Sequence, residues 1–456
     1  MKRSRTSVRT KATAIPELRF EDHRLTSFAG LVVIQRFFQL ISLKTRLQRC
    51  FRHLSQGKIF DRATIFMQLV VHVLLGFREL RDAAHYQDDP IVQRVLGLKH
   101  LPDVATISRM LKEADQHSVD KLRQLLTDMV LERIDSLSLP RVTLDFDGSV
   151  QSTKRRAEGT AVGFNKKKKG ARSYYPLFCT LAQTGQVLNF LHRSGNVHDS
   201  NGAREFILQC VQLVRDRLPG VIIEVRMDSA FFSDEIVTAL TKQDIQYTIS
   251  VPFERFVELK RLIEGRQRWS AIDEELSYFE TRWKPKSWPR RCRFVMLRTR
   301  AKQQQKGPVQ LDLFVPYEYG YEFKVIVTNK DLGASAVVDY HGGRGSQEGV
   351  FGELKTQCQM DYIPVRKRCG NETYLLASLF AYNLIRDLQM QLEPPTRTTT
   401  RKRSTLWCFE QVSTIRRTVL QRAGRLSTPS GKLMLTFCTG KNLKHRVLQI
   451  FEAIAT

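Results

Sequence analysis

Between residues 24 and 138 apolar side chains recur at helical intervals, as in Leu31, Ile34, Phe38 and Ile41, or Ile65, Leu69, Val73 and Leu74. In LPDVATISRMLKEA, Asp103 follows Pro102 and reads as the N-cap of a further helix. From Leu139 the period shortens to two. Val142, Leu144 and Phe146 alternate with Thr143, Asp145 and Asp147, which predicts a strand with one apolar and one polar face. YYPLFCTLAQTGQVLNFLHR holds two β-rich runs around a turn at Thr184-Gly185, and a helix through Phe206 and Cys210 stops at Leu218-Pro219-Gly220. GVIIEVRMDS then predicts a strand closing on Asp228, with a helix from Ser233 to Lys242 and a strand through IQYTISV after it. Strands in a hairpin-like run, then alternating with helices, indicate a mixed α/β sheet.

Residues 252–335 stand apart as a β-rich insertion, with Trp269, Trp283, Trp288, the turn-rich KPKSWPRRC and the runs RFVMLRTR, LDLFV and FKVIVT. A helix is predicted from near Arg344 through GVFGELKTQ, and a second through TYLLASLFAYNLIRDLQM up to Glu393-Pro394-Pro395. TRTTTRKRS reads as a linker by composition. The expected division is a basic arm (1–23), a helical N-terminal domain (24–138), a core in two parts (139–251 and 336–392) split by the insertion (252–335), and a basic linker with a small helical end (393–456). The helical N-terminal domain can be read either as a DNA-binding unit with one helix in a groove or as a plain bundle.

Charge narrows the function. Lys and Arg total 73 against 46 Asp and Glu, a net charge of +27 on a chain with 42% apolar residues. Such an excess opposes compaction unless a polyanion neutralises it, and nucleic acid is the polyanion that fits a folded chain basic throughout. Eight scattered cysteines without a Cys-x-x-Cys pair argue against structural zinc and for reduced thiols. MKRSRTSVRTKATA lacks the apolar centre of a secretory signal, and ATIFMQLVVHVLLGF is too short to span a bilayer. The expectation is a soluble cytoplasmic protein.

Cleaving or exchanging a phosphodiester requires stabilisation of attacking and leaving oxygens together, which two divalent cations held by carboxylates provide. Mg²⁺ or Mn²⁺ suits such an oxygen-rich site. Asp147 and Asp228 each close a predicted strand, where an α/β sheet usually places chemistry. Asp145, two residues earlier on the same face as Asp147, is the alternative ligand. In YHGGRGSQEGVFGELK, Glu348 and Lys355 lie four and eleven residues after Arg344, so all three share one sector of a helix. A surface pair between Arg344 and Glu348 is the bland reading of the same spacing. The run NKKKKGARSYY, with Lys166, Lys167, Lys168, Lys169 and Arg172, is expected to meet DNA phosphates beside the site. The three tryptophans read as core, or as a platform for an unpaired base.

Taken in order, LDFDGS, KKGARSYYPLF with TGQVLNFLHRSGNVHDSNG, RMDSAFFSDE and YHGGRGSQEGVFGELK resemble the DDE transposases of bacterial insertion sequences. The resemblance is to the branch with a Tyr-x-x-Arg-x-x-x-Glu-x-x-x-x-x-x-Lys signature, over roughly residues 60–390. It implies an RNase H-like catalytic core in which Asp147, Asp228 and Glu348 bind two Mg²⁺ or Mn²⁺ ions, and Tyr340, Arg344 and Lys355 contact DNA. It also implies terminal inverted repeats and target DNA as partners, a homodimer in a synaptic complex, and a bacterial, nucleoid-associated setting. The signature departs at one point: three residues separate Tyr340 from Arg344 where the family has two, which displaces Tyr340. A nuclease of the same fold without strand transfer, or an inactive DNA-binding relic, are the competing readings.

Overall fold

A computed structural model describes residues 15–454, except 56, 58, 164, 166, 167, 199, 200, 301–319 and 439. Its centre is a mixed sheet built from β1 (Arg141–Gly148), β2 (Leu177–Leu181), β3 (Val187–Leu191), β4 (Ile222–Met227), β5 (Gln246–Val251), β6 (Ser270–Ala271), β7 (Leu276–Trp283), β8 (Cys292–Arg300) and β9 (Tyr321–Thr328). The spatial order is β6-β7-β8-β9-β5-β4-β1-β2-β3. Strands β1, β4 and β5 run parallel, while β2, β3 and β9 pair antiparallel with their neighbours.

The alternation in the sequence accounts for the two faces. Val142, Leu144, Phe146, Val225 and Met227 enter an apolar core with the helix Ala203–Arg217 and the helix Asp234–Lys242. Ser233, where the sequence predicts this helix to start, caps it through its hydroxyl. The segment expected to stand apart contributes β7, β8 and β9, which hydrogen-bond onto β5 and so continue the same sheet. LDLFV lies outside the described residues.

The N-terminal part is helical, as expected. Asp103 accepts from the Thr106 amide at 2.8 Å and starts its helix. These helices pack around an element supplied from far along the chain: the long helix Arg368–Leu392 lies against the helices Arg62–Leu74 and Gln116–Asp135. At Gly370 an added Cβ would collide with the Leu111 carbonyl, so this close approach requires glycine.

A helix α1 (Ala334–Gly342) and a 3₁₀ turn (Gly343–Gly345) lead into α2 (Ser346–Gln357), the helix expected from near Arg344. Two C-terminal expectations need correction. The supposed linker is a strap packed on the sheet: Leu406 N–H donates to the Gln183 carbonyl at 2.8 Å, and Leu406 and Trp407 are buried. The last part is not purely helical, because strands Gly424–Ser427 and Met434–Phe437 form a hairpin that takes Leu25–Thr26 as a third strand before the helix Lys441–Ala453.

Candidate active site

The polar face of β1 and β4 forms a ladder. In parallel register Thr143 sits beside Glu224 and Asp145 beside Arg226, and Asp147 and Asp228 follow one residue beyond the last paired positions, Phe146 and Met227. Neighbouring strands lie about 4.8 Å apart, so the two aspartates stand at the same end of adjacent strands. Two like charges at one sheet end repel unless a cation joins them. Arg344 offsets part of that charge, donating to the Asp147 carboxylate at 3.3 Å. Asp147 also accepts from the Gly148 amide at 2.8 Å, and Asp228 caps a short turn through the Ala230 amide at 2.9 Å.

The rungs below are fully neutralised. Arg226, wholly buried, grips Asp145 with two hydrogen bonds of 2.6 and 2.7 Å. Burial raises the Asp145 carboxyl against the opposing pull of Arg226, and the aspartate in turn holds the guanidinium protonated. This correction bears on the metal ligands: both Asp145 oxygens are committed to Arg226, whereas Asp147 opens at the strand end. Glu224 accepts from Thr143 (2.9 Å), Arg141 (2.9 Å), Lys330 (2.6 Å) and Arg403 (2.9 Å). Desolvation would push its carboxyl up, but Arg403 and Lys330 outweigh that and bring it down to about 2. A depressed carboxylate stabilises the fold above its unfolded value near 4.5 and loses that contribution as pH falls toward 2. The amount at stake is on the order of 3 kcal/mol. Chemical denaturation of Glu224→Gln between these pH values should therefore show a shallower acid loss than wild type; equal slopes would refute the assignment.

Tyr340, expected to contact DNA, is instead 1% exposed and sits at the centre of this network. Lys330 lies 4.2 Å and Arg226 5.2 Å from its ring centroid, and its carbonyl accepts from Arg226 at 2.9 Å. Between Tyr340 and Arg344 the chain passes from α1 into the tighter 3₁₀ turn. Gly343 fits there because a Cβ would strike the Lys402 carbonyl and Arg226. That carbonyl also accepts from Arg226 at 2.7 Å, so the strap clamps the turn onto the ladder.

Helix α2 is pinned to the same sheet end. The Gln347 carboxamide donates to the Asp145 carbonyl at 3.0 Å, and Phe351 packs on Phe178 with centroids 5.4 Å apart. Glu348 stands in the first turn of α2, exposed to solvent, with Lys355 half-buried two turns on. Among the described residues no three His, Cys, Asp or Glu side chains group closely enough to hold a metal ion, so Glu348 is not gathered with the aspartate pair. The donor chemistry of that pair, oxygen only and doubly negative, fits a hard divalent cation.

The remaining predicted contacts divide. Lys168 and Lys169 are exposed, while Lys166 and Lys167 lie outside the described residues. Arg172 is turned inward and donates to the Thr160 hydroxyl at 3.1 Å. The tryptophans pack: Trp288 on Phe232 at 4.8 Å, Trp269 on Phe279 at 4.8 Å and Trp283 on Phe294 at 5.2 Å. The alternation carried a signal for Glu224 and Arg226, which share the face of Asp228. Nothing comparable marked Arg403 or the Lys402 carbonyl, because their partners are distant in the chain.

A mixed sheet whose adjacent parallel strands end at Asp147 and Asp228 defines an α/β protein with acids at its strand tips. The chain matches the transposase DDE domain group 1 family over residues 10–456 and belongs to that family. No curated protein matches it. Among solved structures it is similar to the piggyBac transposase in a synaptic complex with hairpin DNA, at 12% identity and a TM-score of 0.38, covering 82% of this chain and 77% of that one. It is also similar to the Mos1 mariner protein in a paired-end complex with Mn, at 10% identity and a TM-score of 0.17, covering 43% of this chain and 60% of that one. No helix of the described residues is long and apolar enough to cross a membrane.

Proposed function

We propose that the protein is a DNA transposase of the Tyr-Arg-Glu-Lys signature branch, cutting and joining DNA on an RNase H-like core. The observation that carries this reading is the placement of Asp147 and Asp228 at the tips of adjacent parallel strands, with Arg344 of the 3₁₀ turn bonded to Asp147 and Glu348 in the first turn of the helix that follows. The strand order β3-β2-β1-β4-β5, with β1, β4 and β5 parallel, supports the RNase H-like core.

Asp147 and Asp228 would hold Mg²⁺ or Mn²⁺, with Glu348 as the third ligand; two such ions, when bound, stabilise the attacking and leaving oxygens. Arg344 now neutralises Asp147. With a cation in that role, its guanidinium becomes available to a DNA phosphate, and Lys355 serves the same backbone. Asp145 stays paired to Arg226 and acts by holding the strand beneath Asp147. Terminal inverted repeats of an insertion sequence and target DNA are the proposed substrates, bound by a homodimer in a synaptic complex in the bacterial cytoplasm. Lys168 and Lys169 add phosphate contacts.

The standing of Glu348 outside the acid pair favours one rival, an inactive DNA-binding relic. Incubating the protein with Mg²⁺, a precut DNA end carrying a 3′-OH and a supercoiled plasmid separates the readings. Joined product is expected. Cleavage without joining would indicate a nuclease, and binding without either reaction would indicate the relic.

A further inference from the structure

Beside the ladder lies a buried histidine. His341, the residue after Tyr340 on α1, is 1% exposed. Its Nδ1 is 2.9 Å from the Thr248 hydroxyl and its Nε2 is 2.8 Å from the Ser250 hydroxyl. Both hydroxyls stand on the polar face of β5, because Tyr247, Ile249 and Val251 fill the apolar core on the other. Burial, with Lys324, Arg344 and Arg226 nearby, holds the imidazole well below its usual value, so the ring is neutral. A neutral ring donates at one nitrogen and accepts at the other.

Two proton arrangements fit these distances, and burial decides between them. Thr248 is wholly buried, and among the described residues its hydroxyl has no hydrogen-bond partner other than His341. If Nδ1 donated to Thr248, the threonine proton would be buried without an acceptor, which is costly. Thr248 therefore donates to Nδ1, and Nε2 carries the ring proton and donates to Ser250. The Ser250 oxygen accepts, so its own proton is left for a third group.

Strand register identifies that group. Arg226 pairs with Thr248 and Met227 with Ile249, so Asp228 and Ser250 follow side by side on the same face. Ser250 is only partly buried there, at the open end of the strands. The Ala230 amide already holds Asp228 Oδ1 at 2.9 Å, so a donor from β5 would fix the second oxygen.

We propose that Ser250, oriented by His341, is a positioning residue for Asp228: its hydroxyl donates to that carboxylate and turns it toward a divalent cation. The inference rests on the reading of Asp228 as a metal ligand and adds the side chains that aim it. Thr248 donates to His341, His341 to Ser250 and Ser250 to Asp228, so every donor points the same way. A carboxylate held from behind in this manner binds its ion more tightly. Being uncharged, the serine donor does not compete with the cation as Arg344 does at Asp147.

The full chain tests this in two ways. With histidine labelled by ¹⁵N, the metal-free protein should show the His341 ring as the Nε2–H tautomer, its signal assigned by its loss in His341→Gln. An Nδ1–H ring would overturn the proposal. The second measurement concerns the Mn²⁺ ion whose binding is lost in Asp228→Asn, followed by the electron paramagnetic resonance of free Mn²⁺ well below the thermal midpoint. Affinity for it should fall about tenfold in Ser250→Ala and return in Ser250→Thr, which keeps the hydroxyl. Val251→Ala, on the apolar face of the same strand, should lower the midpoint yet leave that affinity unchanged. Equal affinity in Ser250→Ala and wild type, no recovery in Ser250→Thr, an equal loss in Val251→Ala, or no such ion in wild type would each overturn the positioning role. If tautomer and affinities follow as stated but no Mg²⁺-dependent DNA cleavage is found, the positioning stands and the transposase reading fails instead.

Discussion

Asp147→Asn and Asp228→Asn should each lower Mg²⁺-dependent DNA cleavage by about a thousandfold or more while leaving DNA affinity intact. The reasoning starts from charge. Each substitution keeps the shape of the side chain and its local hydrogen bonding, because an asparagine oxygen still accepts from the Gly148 or Ala230 amide. It removes one of two adjacent negative charges, and with it much of the hold on a divalent cation. Cationic stabilisation of a phosphoryl transition state contributes several kcal/mol, and about 4 kcal/mol corresponds to a thousandfold in rate. The fold should not suffer, since deleting one of two like charges relieves repulsion. A midpoint equal to or above wild type, together with lost cleavage measured on end-containing DNA, is the expected pair of results. Retained cleavage in either variant would remove these aspartates from the chemistry.

Arg226→Met should instead damage the fold. The substitution leaves Asp145 buried without its partner, and breaking a buried ion pair from one side costs about 3–5 kcal/mol. It also deprives the Tyr340 and Lys402 carbonyls of their shared donor, so the turn carrying Gly343 and the strap both loosen. Urea unfolding is the measurement, and a change below about 1 kcal/mol would contradict the ion pair. Adding Asp145→Leu to Arg226→Met should recover a large part of the loss, because the unpaired charge is then gone. That coupling, read from a double-mutant cycle, separates Asp145 from Asp147 experimentally: one acid supports the fold, the other the reaction.

Local chemistry was legible in the sequence, whereas distant contact was not. The strand over 141–148, the turn at Thr184-Gly185, the stop after Arg217, the cap at Asp103 and the helix start at Ser233 all depend on neighbours within a few residues, and they appear where predicted. The polar alternation of Thr143, Asp145 and Asp147 against Glu224, Arg226 and Asp228 was visible as two separate patterns. Only parallel pairing of β1 with β4 turns them into rungs, which makes Asp145 an ion-pair partner and puts Asp147 beside Asp228. Tyr340 was misplaced for a related reason: its surroundings are Lys330, Arg226 and Arg403, none within the helix that carries it. Composition misled at 396–404, where a run of threonine and arginine that suits a linker is held down at Lys402 and Arg403 by Arg226 and Glu224. For residues 252–335 the strands were foreseen but not their alignment with β5, since sheet order is a property of pairing partners.

The strap has a consequence for how the molecule matures. Chains emerge from the ribosome N-terminus first, so β1 and β4 are made long before Arg403. Until that residue arrives, Glu224 lacks one of its cations and Arg226 one of its acceptors. The sheet that presents the acids thus reaches its final form only after the strap has been made and has closed over it.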